Sequence, residues 1–169
     1  MRINKGDAGL LNVRLICVGK LKEKFYRDAM EEYMKRLSAY CRFECVELRE
    51  NNLPESPSEK EITSSLDGEA ELITKNIQPG AYVVAMCVEG KKLDSKGVAT
   101  LIRERENSGK PKLCFIIGGS YGISEKIKQM ADFRLSMSDM TFPHHLARVM
   151  LTEQIYRGFK INEGSAYHK

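Results

Sequence analysis

The sequence predicts an α/β fold in which a mostly parallel sheet is flanked by helices. Apolar runs typical of strands alternate with helix-like stretches of about 10 to 18 residues along the whole chain. Two of the runs, 81–88 and 112–119, are apolar without alternation, as in strands covered on both faces. Strands separated by helices of this length form βαβ units with parallel strands. At 169 residues, the chain is long enough for one domain with its own core.

The N-terminal half contains two strand–helix units. Residues 12–19 are a β-branched run that ends at a glycine. Residues 22–39 then place five apolar side chains at helical spacing: Phe25, Ala29, Met30, Tyr33 and Leu37. Residues 42–49 alternate as a half-buried strand, and a proline-containing loop follows. Ser58 and Glu61 have the spacing of a capping box and predict the start of a second helix there.

The C-terminal half continues the alternation. After the first continuous apolar run, Asp94 or Ser95 can cap a helix. After the second run, Ser124 can cap a short helix, and 132–138 has the pattern of a last strand. Residues 145–159 form a helix that is apolar over most of its circumference, so we expect it to be largely buried.

Composition excludes some classes of protein and leaves others open. The net charge of +4 and the pI near 8.7 permit a nucleic-acid partner without requiring one. No apolar run approaches the roughly 18 residues of a transmembrane helix, and we expect a cytoplasmic protein. The cysteines are odd in number and lack a CxxC pair, so we expect reduced core residues and no metal site: Cys17, Cys41, Cys45, Cys87 and Cys114.

Ligands of parallel sheets bind at the carboxyl ends of strands, which here selects 86–90, 118–122 and 136–142. The glycine loop at 118–122 fits neither the G-x-G-x-x-G pattern of a dinucleotide fold nor a P-loop. It is either a tight strand-to-helix turn or one wall of a small-molecule site. Residues 137–142 offer backbone groups beside an apolar wall, which suits a flat heteroaromatic group such as adenine.

Two groups of polar residues near the C-terminus are compatible with more than one role. His144 and His145 either fill a helix N-terminus with hydrogen-bonding groups or carry out catalysis. The chain ends on Tyr167, His168 and Lys169, and terminal residues are often frayed. A phenol, an imidazole and an amine together can also form part of a catalytic site.

Four motifs together resemble the ribosomal RNA large subunit methyltransferase H family of SPOUT methyltransferases. They are VRLICVGKLKEK near the N-terminus, FIIGGSYG, LSMSDMTFPHHLARVMLTEQIYRGFKI and the terminal AYHK. The resemblance covers 12–169, which we take as a single SPOUT methyltransferase domain. Residues 1–11 fall outside it and are predicted to be either an upstream start or a disordered N-terminal extension.

The resemblance implies a fold, an activity, a cofactor and a partner. The α/β domain would contain a C-terminal deep trefoil knot, and the active unit would be a homodimer. The enzyme would methylate N3 of a pseudouridine in 23S rRNA within the ribosome, and S-adenosylmethionine would supply the methyl group. The cofactor-binding positions carried over by motif are Met86, Gly118, Met137, Ser138, Asp139, Met140, Thr141 and Phe142. Met86 departs mildly from the family, which usually has an aliphatic residue there.

Methyl transfer to N3 also requires that the N3 proton leave. His168 is the candidate general base because its unperturbed pKa is near 6.5. Tyr167 and Arg148 are candidates to polarise a carbonyl or hold a phosphate, and Lys169 and His144 are candidate RNA contacts. Two alternatives remain at the level of sequence: a methyltransferase of this fold that acts on tRNA, and a nucleotide-binding module without catalytic activity.

Overall fold

The computed structural model describes residues 9–167 and shows one five-stranded sheet with helices on both faces. The elements are, in order, β1 (Asn12–Val18), α1 (Lys24–Leu37), β2 (Arg42–Leu48), α2 (Glu59–Asn76), β3 (Tyr82–Lys92), α3 (Ser95–Glu106), β4 (Lys112–Ile117), α4 (Glu125–Met130), β5 (Phe133–Ser136) and α5 (His144–Asn162). The strand order is β2-β1-β4-β3-β5, and every neighbouring pair is parallel. The predicted α/β architecture is confirmed, and all strands end at the same edge of the sheet.

Side-chain caps fix the starts of three helices. The Ser58 hydroxyl accepts a hydrogen bond from the Glu61 amide, and the Glu61 carboxylate accepts one from the Ser58 amide, so the capping box before α2 is confirmed. Asp94 caps α3 by accepting from the Gly97 amide at 2.7 Å. Ser124 caps α4 as predicted. Each cap satisfies an amide that would otherwise lack a partner in the first helical turn.

The sheet divides the hydrophobic core into two layers. Helices α1, α3 and α5 pack on one face, together with Phe115 of β4. Helices α2 and α4 pack on the other face with Ile116, the next residue of the same strand. Because successive strand residues point to opposite faces, a strand covered on both sides is apolar throughout, as β4 is. Every residue of α5 is buried or half-buried, which confirms the prediction for this helix.

The packed part of the chain begins earlier than the predicted boundary at residue 12. Leu11 has no exposed surface and belongs to the core layer under α1, α3 and α5. Its carbonyl oxygen accepts a hydrogen bond from the Arg42 amide at the start of β2. Leu11 is therefore part of the domain rather than of the extension. Residues 1–8 of the predicted extension lie outside the described residues.

Strand β3 is longer than predicted because an irregularity interrupts it without ending it. The register with β5 shifts between Met86 and Lys91, so the residues between them bulge out of the ladder before pairing resumes. Gly90 closes this bulge: a Cβ atom there would lie 2.8 Å from the backbone of Arg134 in β5. Bulges often occur beside active sites, where they redirect side chains. Here the bulge faces the strand ends, where the sequence predicts a ligand.

Arg148 of α5 is the largest fully buried side chain and joins three elements. Its Nη1 donates to the Glu47 carboxylate near the end of β2, and its Nη2 donates to the Gly19 carbonyl just after β1, at 2.9 Å. Glu47 also accepts from the Leu21 amide at 3.1 Å. A buried charge must be paired, so these contacts fix α5 across the ends of β1 and β2. The catalytic role predicted for Arg148 is not supported by this structural use of its guanidinium.

The structure of residues 9–167 also bears on the expectations for the cysteines and for a membrane-spanning helix. All five cysteines are free, and burial raises the pKa of Cys41 and of Cys114 to about 12. Thiols with so high a pKa remain protonated and unreactive at neutral pH. Over the same residues, no helix is long and apolar enough to cross a membrane. No group of three or more His, Cys, Asp and Glu side chains there is placed to hold a metal ion.

We predict that Arg148→Met destabilises the fold, because it leaves the Gly19 carbonyl without its donor and the partly exposed Glu47 carboxylate without its cation. The expected loss is roughly 1.5–3 kcal/mol in the free energy of unfolding. Arg157→Met is the control on the same helix: its partner Glu153 keeps hydrogen bonds from Gln154 and Tyr167, so we expect a loss under about 1 kcal/mol. Urea denaturation at one protein concentration measures both values. Equal losses in the two variants would contradict the structural role of Arg148.

Candidate active site

A cavity of about 730 Å³ lies at the carboxyl edge of the sheet, between the bulge of β3 and the segments that follow β4 and β5. This volume falls within the range of small-molecule sites, roughly 300–1,000 Å³. The cavity is the place where ligands of parallel sheets bind. Most of its wall comes from three stretches of chain and the start of α5, and single residues of α4 and β5 complete it: residues 86–89, 117–123, 137–138 with 140–142, 143–147 in part, Lys128 and Leu135.

Seven of the eight residues predicted to bind the cofactor line this one cavity. They are Met86, Gly118, Met137, Ser138, Met140, Thr141 and Phe142. The eighth, Asp139, does not line it: its side chain is 82% exposed and forms an ion pair with Lys92. Lys92 and the surrounding water stabilise the Asp139 carboxylate outside the cavity. The loop therefore presents its apolar side chains and its backbone to the cavity.

The glycines of the loop at 118–122 are required because its backbone approaches itself closely. A Cβ atom at Gly118 would lie 2.0 Å from the carbonyl oxygen of Gly122, so no other residue fits without moving the backbone. Gly122 itself has φ of +82°, a conformation that favours glycine. Gly119 and Gly122 form an isolated bridge across the loop. The turn and the ligand-site interpretations are therefore compatible, because the tight turn supplies one wall of the cavity.

Glu50, which the sequence analysis missed, anchors this loop from the end of β2. Its Oε1 accepts hydrogen bonds from the amide and the hydroxyl of Ser120, each at 2.8 Å. A Cβ atom at Gly119 would lie 2.6 Å from the same oxygen. Partial burial alone would raise the pKa of Glu50, but the two hydrogen bonds from Ser120 outweigh it and hold the pKa below its ordinary value. The strand-end rule, applied to β2 as well, would have found this residue.

His144, predicted to contact RNA, lines the cavity at the first position of α5. Its Nε2 atom is buried and has no hydrogen-bond partner among residues 9–167. A Cβ atom at Gly19 would lie 3.4 Å from this nitrogen and 3.4 Å from Oε2 of Glu50, so the three residues meet. Burial lowers the pKa of His144, the adjacent His145 lowers it further, and Glu50 opposes both. His144 therefore favours the neutral form, and its Nε2 faces Gly19 and Glu50, neither of which lines the cavity.

Lys128 is the cation nearest the cavity, yet its charge is already balanced. It lines the cavity wall, and its side chain is only 15% exposed. Its ammonium forms ion pairs with Glu89 of the β3 bulge and with Glu125 at the start of α4. The ion pair fastens the bulge to α4 and thereby holds the cavity open between them.

The tail of the chain lies beside a second cavity. Tyr167 donates to the Glu153 carboxylate at 3.3 Å, and the Arg157 guanidinium lies over its ring, 4.8 Å from the centroid. Glu153 lines the second cavity, of about 690 Å³, whereas Tyr167 does not line the first one. Glu153 and Arg157, four residues apart on α5, form an ion pair at 2.7 Å. His168 and Lys169 lie outside the described residues.

The first cavity suits a ligand that combines a flat ring system with a short polar chain. Its apolar wall comes from Met86, Ile117, Leu135, Met137 and Phe142. Backbone segments that follow three strands converge on the same space, and such groups recognise ring edges without side-chain charges. The donor set therefore fits a nucleoside-type cofactor better than a phosphate or a metal ion.

Comparison with known protein families identifies this α/β domain, with its parallel sheet and its cavity at the strand ends, as a SPOUT methyltransferase. The sequence model of the family described as "Predicted SPOUT methyltransferase" matches residues 11–168. Two solved structures share the fold at 12% identity. A probable methyltransferase from Bordetella pertussis has a TM-score of 0.56 over 86% of this chain and 95% of that one. A probable methylase family protein from Haemophilus influenzae has a TM-score of 0.52 over 93% and 70%.

Relatives with higher sequence identity show that the chain belongs to the ribosomal RNA large subunit methyltransferase H family. The putative ribosomal RNA large subunit methyltransferase H of Methanococcus vannielii is 48% identical over 94% of this chain and 100% of its own length. The ribosomal RNA large subunit methyltransferases H of Clostridium beijerinckii and Bacillus pumilus are 47% and 45% identical, with the same coverage. The family resemblance seen in the motifs is confirmed.

We predict that His144 makes stability depend on pH below about 6.5, the ordinary pKa of histidine. Because the pKa of His144 is lowered in the folded chain, the unfolded chain binds this proton first as pH falls. The free energy of unfolding should therefore fall from about pH 6.5 downwards until the folded residue is also protonated. His144→Gln should remove this component. Urea denaturation at pH 8 and pH 5.5 measures it, and parallel pH profiles of the two proteins would contradict the assignment.

Proposed function

We propose that this methyltransferase transfers the methyl group of S-adenosylmethionine to N3 of a pseudouridine in 23S rRNA, within the ribosome. The observation that carries the proposal is the convergence of seven residues, selected by motif alone, on one cavity at the strand ends. The names of the relatives at 43–48% identity, which describe ribosomal RNA large subunit methyltransferases, support the class of substrate. The cavity supports the class of cofactor.

The cofactor would lie in the first cavity. Met86, Leu135 and Phe142 would enclose its adenine ring, and the backbone of the loop before α5 would hold the ring edges. The glycine loop would form the opposite wall, held at its distance by Glu50. When bound, S-adenosylmethionine would supply a methyl group on a sulfonium, whose bonding electrons remain on sulfur when the methyl group leaves.

A deep trefoil knot in the C-terminal part is a further element of the proposal. Strand β5 pairs with the edge of β3 on both sides of the bulge, and α5 then returns to pack against α3 and α1. The last helix thus crosses segments that precede β4 in the chain. This course is compatible with threading of the C-terminal segment through the loop that those earlier elements form.

The protein's task in the chemical step is to remove a weakly acidic proton and to align the acceptor. We propose that His168 accepts the N3 proton as general base, so that the N3 lone pair is free to bond to the methyl carbon. Tyr167 and Lys169 would polarise a neighbouring carbonyl or hold a phosphate of the RNA. General-base catalysis of this kind contributes roughly 10²- to 10⁴-fold. Arg148 takes no part, because its guanidinium is buried against Glu47 and Gly19.

The active unit in this proposal is a homodimer whose sites combine two chains. Within one chain, Tyr167 is held against Glu153 and Arg157, outside the lining of the first cavity. The tail of a second chain can approach that cavity without breaking these contacts in its own subunit. Each site would then combine the cofactor cavity of one subunit with the tail of the other.

We predict that the protein labels 23S rRNA when it is incubated with methyl-labelled S-adenosylmethionine and ribosomes, separated subunits or naked 23S rRNA. The label should map to N3 of a pseudouridine. Gly118→Ala should abolish it, since the new Cβ would lie 2.0 Å from the carbonyl oxygen of Gly122 and must deform the cavity wall. Circular dichroism checks that this variant remains folded. Label on tRNA alone would overturn the choice of substrate.

We predict that two inactive variants restore activity when they share one dimer. Gly118→Ala impairs the cavity and His168→Ala impairs the tail, so a heterodimer of the two keeps one intact cavity facing one intact tail. Differently tagged chains allow the heterodimer to be purified, and its activity should be about half that of the wild-type dimer, since one of two symmetric sites is complete. A heterodimer as inactive as its parents would show that each site lies within one chain.

A further inference from the structure

An exposed aromatic residue stands at the start of α1, close to the strand ends. Phe25 is 64% exposed, which is unusual for a large apolar side chain in the first turn of a helix. Neither of the two large cavities includes it. Its ring lies 4.3 Å from that of Tyr26, measured between centroids, so one side of the ring is supported and the other faces solvent.

A continuous series of rings connects Phe25 to the candidate active site. The Tyr26 ring lies 6.1 Å from that of His145 in an edge-on arrangement. The His145 ring lies 4.1 Å from that of His144, which lines the cofactor cavity. Phe25, Tyr26, His145 and His144 therefore lead from the surface to the cavity. We call these four residues the aromatic path.

The loop between β1 and α1 adds positive charge beside the aromatic path. Lys20 and Lys22 are exposed, and neither has an ion-pair partner in the part of the chain that the structure describes. The one carboxylate of the loop, that of Glu23, lies 3.6 Å from Nδ1 of His145 instead. The loop is also held in shape, because the Arg27 guanidinium donates to the carbonyl oxygens of Leu21 and Lys22. Two unpaired cations thus project from a fixed loop whose first residue, Gly19, contacts His144 and Glu50.

We propose that Phe25 is a stacking platform for an unpaired base of the RNA substrate, and that Lys20 and Lys22 bind the phosphates beside it. The proposal rests on the proposed function and specifies the surface on which the RNA lies. Proteins that hold single strands combine exposed aromatic faces with cations that follow the backbone. The aromatic path would then guide a neighbouring nucleotide from Phe25 towards the cavity.

The charge of the loop favours RNA over a protein surface as the occupant. An apolar protein contact at Phe25 would bury Lys20 and Lys22 without a partner, which is costly. A strand of RNA brings a phosphate for each base, so the ring and the cations are satisfied together. An association between two copies of this chain through Phe25 is the alternative outcome that the experiments distinguish.

The first experiment uses the absence of tryptophan from the sequence. Phe25→Trp places the chain's only tryptophan at the platform, where it can be excited apart from the tyrosines, and single-stranded RNA oligonucleotides should quench its emission on stacking. The control is Leu72→Trp, at a position that is also exposed, on α2 on the opposite face of the sheet. We expect quenching at position 25 and none at position 72. Equal quenching, or none at either, would overturn the proposal.

The second experiment measures the effect on substrate binding and on catalysis. Phe25→Ala should raise Kd and KM for 23S rRNA by roughly 5- to 100-fold, as expected for the loss of one stacked base, while KM for S-adenosylmethionine stays unchanged. Phe25→Tyr should restore near-wild-type values because it retains the ring. Unchanged RNA binding in Phe25→Ala overturns the platform even if the wild-type protein methylates 23S rRNA. RNA-dependent quenching without methylation by any form would support the platform and count against the proposed function alone.

The lysines are tested through the salt dependence of RNA binding. Each phosphate contact on a single strand contributes about 0.7 to the slope of log Kd against log salt concentration. The double variant Lys20→Ala/Lys22→Ala should therefore lower that slope by about 1.4. Lys60→Ala/Lys75→Ala removes the same charge from α2 and should leave the slope unchanged. Equal slopes for both double variants, or loss of dimers in Phe25→Ala by analytical ultracentrifugation, would overturn the proposal.

Discussion

The buried guanidinium of Arg148 is the interaction on which the arrangement of the site depends. It joins α5 to the end of β1 through Gly19 and to the end of β2 through Glu47. A buried cation tolerates very few geometries, because every displacement leaves charge without a partner. Helix α5 is thereby fixed over the strand ends. His144, one helical turn before Arg148, is placed in the cavity wall as a result.

The glycine loop shows how a structural requirement and a binding site can share the same residues. Gly118 and Gly122 are required by the close approach of the backbone to itself, with or without a ligand. Glu50 then holds the closed loop through Ser120. A loop that is fixed before ligand binding loses little conformational entropy on binding, so its backbone groups can bind tightly. The cavity is formed by backbone shape more than by charged side chains.

The charged groups around the cavity are largely paired with one another. Lys128 is balanced by Glu89 and Glu125, and Asp139 is turned outwards to Lys92. The ligand region itself is left largely apolar. Among residues 9–167, positive charge without an ion-pair partner lies instead on the loop after β1, at Lys20 and Lys22. In the proposed function, this separation would give the small cofactor and the large anionic substrate different surfaces.

Much of the fold and part of the site could be predicted from the sequence, for physical reasons that are local. Apolar periodicity determined the strands and helices, and short-range hydrogen bonds determined the caps at Ser58 and Ser124. The motif at 137–142 identified the cavity wall, because a loop between a strand end and a buried helix has few other uses. Family membership followed from motifs that cover nearly the whole chain.

Only the tertiary structure decided which distant residues meet. Glu50 and Ser120 are 70 positions apart, and Arg148 and Glu47 are 101 apart, so no local pattern reveals either contact. The sequence made Arg148 a candidate to polarise a carbonyl or hold a phosphate, whereas the structure shows its guanidinium fully buried against Glu47 and Gly19. The bulge in β3 could not be predicted from the sequence either, because the close approach of Gly90 to β5 exists only once the two strands pair. Local composition determined the elements of this protein, whereas long-range packing and the pairing of buried charges determined its site.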